Sequence, residues 1–163
     1  MDAPQFLAQA AEGWAHLYSK TKMVSTAVTY VHLAGLLLGG GAAVAADRET
    51  LKAFREPEAV RADHLDFLGS VHSIAITGLV MLAVSGALMF FADLDTFWAS
   101  KIFWTKMGLV LLLLANGLVM RQAEQMAGRT PQRAWLRLRA TSLVSAFLWF
   151  VVLMFSVVLA TSA

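Results

Sequence analysis

Between Val24 and Ala46 the chain runs for 23 residues (VSTAVTYVHLAGLLLGGGAAVAA) without one formal charge. At 1.5 Å per helical residue that length crosses a hydrocarbon core of about 30 Å. Inside such a core no water satisfies the peptide groups, so the backbone must bond within its own segment as a helix. The stretch therefore reads as a membrane span. His32 lies within it, and Gly35 and Gly39 follow at helical spacing, so a titratable ring shares a face with two missing side chains.

Composition agrees with this reading: of 163 residues 58% are hydrophobic and 15% charged, with mean hydropathy +0.64. Both shares lie outside the range of a soluble domain. Three further apolar stretches, at about 67–92, 102–120 and 141–160, are long enough to cross as well. We expect an all-α, four-helix membrane bundle forming a single transmembrane domain over residues 1–163, since no Gly/Ser/Pro-rich linker divides the chain. The chain has no cysteine, which removes disulfides, thiolate metal sites, cysteine-ligated iron–sulfur clusters and covalently attached haem. The formal charge of +2 and pI near 9.2 do not indicate nucleic acid, because the basic residues flank the spans.

The first 22 residues lack the basic start and cleavage site of a secretory signal. Phe6, Ala10, Trp14 and Leu17, with Leu7 and Tyr18 beside them, follow the rhythm of an amphipathic helix, and Gln9, Glu12, His16 and Ser19 fall on its polar side. That pattern suits the membrane surface. Residues 47–64 read as a solvated polar loop with a short helix around Leu51 and Phe54, ended by Pro57. Gly128 reads as a helix stop and Thr130-Pro131 as the N-cap and first residue of the last helix. Phe97, Trp98, Phe103 and Trp104 gather where the second span turns into the third, as an aromatic belt does.

Lys20, Lys22 and Lys101 flank one end of the spans. The other end carries Arg48, Lys52, Arg55, Arg61, Arg121, Arg129, Arg133, Arg137 and Arg139. The positive-inside rule makes this second end cytoplasmic and leaves both termini outside.

Ionisable groups inside a bilayer are costly, and they form a site only at a common depth. Counting from span midpoints, His32 and Met154 fall roughly 4 to 5 Å to the outer side, Ser85 and Met107 about 6 Å, and Lys106 roughly 7 to 8 Å. His72 falls roughly 13 Å to the inner side, near Met120 and Asn116, so His32 and His72 cannot easily share one iron. A haem beside His32 would take Met107, Met154, Lys106, water or nothing as its second ligand, with Gly35 and Gly39 clearing room for the macrocycle. Packing suits the same glycines, and close contact or a bend suits Gly39-Gly40-Gly41.

Three stretches carry a resemblance: Tyr30-Val31-His32-Leu33-Ala34-Gly35 with Gly39-Gly40 after it, Phe90-Phe91-Ala92-Asp93, and Phe103-Trp104-Thr105-Lys106-Met107 with Asn116 further on. Over about residues 28–121 the chain resembles small four-span bacterial membrane proteins of the copper-resistance D and HemJ-like group. The resemblance implies a bacterial inner membrane, and it implies haem binding through the first-span histidine and the lysine opening a later span, here His32 and Lys106. The arginine- and tryptophan-rich loop patterns of the HemJ-type enzymes are missing, and histidine and methionine are sparse for a copper carrier.

The leading expectation is a b-type haem-binding or redox-linked protein centred on His32, the metal ligand, and Lys106, with Gly35, Gly39, Met107 and Met154 around the cofactor and His72 and Asn116 as secondary candidates. The alternatives are a non-catalytic subunit docking through its glycine faces onto a larger membrane complex or a second copy, and a transporter for a metal ion or small solute. Against the transporter, no span as delimited above carries a carboxylate. No P-loop, dinucleotide fingerprint or nucleophile elbow occurs.

Overall fold

The computed structural model describes residues 5–126 and 131–162, with side chains except those of 58–67, 70, 131 and 162. Among these residues the only regular structure is helical: α1 (Gln5–Lys20), α2 (Lys22–Gly35), a π-helical segment (Leu36–Gly40), α3 (Gly41–Ala53), α4 (Glu58–Ala92), α5 (Leu94–Ala99), α6 (Lys101–Met126) and α7 (Pro131–Ser162). Four helical rods, Lys22–Ala53, Val71–Ala92, Lys101–Met126 and Gln132–Thr161, are long and apolar enough to cross a membrane. The chain is a multi-pass, all-α membrane protein of the four-helix class.

Local chemistry sets several boundaries. Pro131 opens α7, where its missing N–H costs nothing. Ser100 caps α6 by accepting the Phe103 N–H at 3.2 Å. Along the spans, Thr29, Thr77, Ser85, Thr141 and Ser156 each donate a hydroxyl to the carbonyl four residues back, which satisfies a polar group that lipid cannot. Gly128 and Thr130 lie outside the described residues.

The first span packs along α4, and α3 also meets α7, which carries α6 on another side. One contact fixes the α2–α4 crossing. A Cβ added at Gly78 would collide with the backbone N and Cα of Gly39 and come within 2.8 Å of the Gly35 carbonyl oxygen. Gly35 and Gly39 are thus pressed onto Gly78, backbone against backbone, where side chains would hold the helices apart. Gly40, next in sequence, faces α7 instead, and a Cβ there would stand 3.0 Å from the Trp149 ring. The π-helical turn lies where these consecutive glycines serve two neighbours, a single wide turn inside a longer helical rod.

Beside this crossing Leu113, Leu148 and Trp149 form a buried cluster with Leu36, Leu79, Leu82 and Leu109 against it. Above it the aromatic belt is built as expected: Phe90 stacks on Phe103 at 5.1 Å between centroids, Trp98 meets Trp104 edge-on at 5.5 Å, and the Trp104 indole donates to the Trp98 carbonyl at 2.9 Å.

Three expectations change. Residues 47–64 are not a solvated loop, because α3 continues to Ala53 and only 54–57 separate it from α4; Pro57 precedes the next helix. Ala53, Ala123, Trp135 and Leu138 form a second buried cluster there, which makes the polar segment helical through packing on α7. The buried side of α1 is also rotated from the sequence rhythm. Ala11 is buried and Leu7, Ala8, Trp14, Ala15 and Tyr18 are half-buried, while Phe6 is 69% and Leu17 48% exposed. Small alanines let α1 approach α4 closely, the Trp14 indole donates to the Leu88 carbonyl at 2.7 Å, and the bulkier pair stays outside. The third change concerns the carboxylates: the first-span rod includes Asp47, and α6 includes Glu124.

Candidate functional site

His32 projects from α2 towards α4, half-buried, with its Nδ1 2.9 Å from Ser85 Oγ. The hydroxyl decides the tautomer. Ser85 Oγ lies 2.5 Å from the Met81 carbonyl, and two oxygens at that distance require a proton between them, so Ser85 donates there. Its one hydrogen is then used, and Oγ accepts from the His32 Nδ1–H. Nε2 consequently carries the lone pair, the arrangement of a ligating imidazole held by an outer hydrogen bond. Gly86 bounds the ring: a Cβ there would stand 3.5 Å from His32 Cε1.

Lys106 enters from α6, half-buried and close enough for its charge to act on His32. Among the described residues it makes no ion pair and no side-chain hydrogen bond. The layer thus offers one oriented imidazole and one amine, between the aromatic belt and the leucine cluster. Such a pair can hold an electron-deficient metal centre through nitrogen and an anionic substituent through the ammonium.

The other sequence candidates divide. Met107 follows Lys106 in α6 and is half-buried, whereas Met154 is 56% exposed on α7. Gly35 and Gly39 are taken up by Gly78, so this face has no slot for a flat macrocycle and none for docking a second chain. Asn116 donates to the Thr141 carbonyl at 2.9 Å, tying α6 to α7. His72 belongs to another layer, where Glu124 and Arg121 lie near each other's charge and His72 is the third member. Among the described residues no three His, Cys, Asp or Glu side chains converge as a metal cage.

One buried polar group has no counterpart in the sequence analysis. Asp47 is 2% exposed on α3, facing Ser142 and Ser145 of α7. The serines lie near its carboxylate, but Asp47 Oδ2 and Ser142 Oγ are buried outside hydrogen-bond geometry with any described partner. An amide in the same place would remove a buried charge. We therefore expect Asp47→Asn to raise stability by about 1–2 kcal/mol, read as a higher melting temperature in detergent. A comparable fall would mean the carboxylate is fully partnered in the membrane. The signal in sequence was Asp47, Ser142 and Ser145 on helices whose contact only the fold reveals.

Comparison with protein-family models, curated proteins and solved structures found no match.

Proposed function

We propose that this chain is a b-type haem-binding or redox-linked protein of the bacterial inner membrane, with both termini outside and its centre at His32 and Lys106. The observation that carries the reading is the committed hydroxyl of Ser85, which takes the His32 Nδ1–H and leaves the lone pair at Nε2. His32 would hold the haem iron through Nε2, Ser85 would keep its tautomer, and Lys106 would meet the propionates or serve as the second ligand. Bound haem would supply one-electron transfer. The glycine crossing fixes the register of His32 against Ser85. The orientation rests on the arginine-rich end.

The visible spectrum of protein purified from haem-replete cells tests this. A Soret band, present as purified or restored by haemin, is expected; its absence in both cases overturns the reading. Ser85→Ala should keep the band but weaken haem affinity by about 10- to 100-fold, the usual cost of losing an outer partner of a ligating histidine.

A second reading, a non-catalytic subunit of a larger membrane complex, is favoured by α6. Leu111 and Leu118, seven residues apart on one side of the helix, are 66% and 63% exposed, and Gly108 on that side has nothing within 4 Å of a Cβ, so this helix presents an apolar face outward. In that case replacing His32 and Lys106 together with leucine leaves function intact, and crosslinking captures a neighbour through α6.

A further inference from the structure

A cleft of about 560 Å³ opens between the end of α3 and α7, lined by Val44, Leu51 and Ala146 and by Asp47, Arg48, Lys52, Arg55 and Glu56. Its two halves differ. Val44 closes the uncharged stretch and Ala146 lies in the apolar body of α7, whereas Arg48, Lys52 and Arg55 follow on the next two turns of the first-span helix and beyond its end. The cleft therefore straddles the level at which hydrocarbon gives way to headgroups. Lys52 pairs with Glu49 at 2.6 Å, while Arg48 reaches the same carboxylate only at 3.9 Å with 73% of its side chain exposed. Arg55 is exposed and makes no ion pair among the described residues.

We propose that this cleft binds an anionic phospholipid, its phosphate on Arg48 and Arg55 with Lys52 beside them, and an acyl chain along Val44, Leu51 and Ala146. Charge complementarity selects the headgroup: guanidinium groups grip phosphate with two donors each, and the cleft lies at the arginine-rich end of the bundle. The apolar half selects a lipid over a free anion, because only an amphiphile fills both parts at once. The buried Asp47 beneath disfavours a small free anion further, and a phosphodiester held at the rim stays clear of it.

Native mass spectrometry of the full chain in detergent tests the assignment, with phosphatidylglycerol, phosphatidylcholine and inorganic phosphate as probes. We expect phosphatidylglycerol to bind at least about tenfold more tightly than phosphatidylcholine, since a basic residue near the headgroups contributes about fivefold. The triple variant Arg48→Gln/Lys52→Gln/Arg55→Gln should lose that preference. Arg133→Gln, an exposed cation of α7 outside the cleft, should keep it. Ala146→Phe, which fills the apolar half and changes no charge, should weaken phosphatidylglycerol binding severalfold. The assignment is overturned if the triple variant keeps its preference, if Arg133→Gln loses as much, if Ala146→Phe changes nothing, or if inorganic phosphate displaces the lipid at equal concentration.

Discussion

Replacing Gly78 with valine is expected to destabilise the bundle by about 3 kcal/mol or more, the upper range for inserting bulk where nothing can yield. The added atoms would meet the backbone of Gly39 and the carbonyl of Gly35, so neither a rotamer change nor a flexible side chain relieves the overlap. The α2–α4 crossing must open, and His32 lies on the same helix less than one turn before Gly35. Opening it would part His32 from Ser85, so the variant should lose both melting temperature and the Nδ1 hydrogen bond. Gly117→Ala provides the opposite sign: nothing lies within 4 Å of its Cβ, and alanine in a helix interior is favoured over glycine by up to about 1 kcal/mol. Thermal unfolding of both variants in the same detergent reads the contrast. Equal melting temperatures would show that the crossing does not limit stability.

That contrast also marks what sequence alone could disclose. The four spans, the aromatic turn and Pro131 at the head of α7 were legible because each follows from local chemistry: uninterrupted apolar length, amphipathic rings, a missing N–H. Gly35 and Gly39 were visible as a bare face, but what fills such a face depends on a residue 39 positions away, and a lone Gly78 in an apolar run announces nothing. The common depth of His32 and Ser85 could be counted from helical rise. The hydrogen bond that sets the tautomer could not, since it depends on rotation of both helices about their axes. The stretch 47–64 misled for a related reason. Its charges argued for water, yet Asp47 faces α7 and Thr50 is fully buried while Arg48 and Lys52 point outward, an arrangement that only a helix packed on one side produces.

If haem is held as proposed, His32→Ala should abolish the Soret band or weaken haem binding by at least about 100-fold, because it would remove the ligand itself where Ser85→Ala would remove only its support. Thermal stability should fall little by comparison, since the ring is half-buried and rests on Gly86 without filling a core. This separation distinguishes a ligand from a packing residue: a histidine retained for its bond to Ser85 would lose stability and leave the spectrum unaltered. Added imidazole provides the second discriminating measurement, as it can occupy the space left by the ring and return an axial nitrogen. Recovery of the band in His32→Ala, with none in Gly78→Val, would place the defect at the ligand and not in the bundle. Lys106 separates the two roles open to an amine. Lys106→Arg keeps a cation for a propionate and should preserve binding, whereas Lys106→Gln should weaken it; if the lysine is instead the second ligand, both variants shift the band to a single-histidine form. A spectrum unmoved by all three substitutions would detach the haem from this layer altogether and leave the outward face of α6 as the better guide to what the protein does.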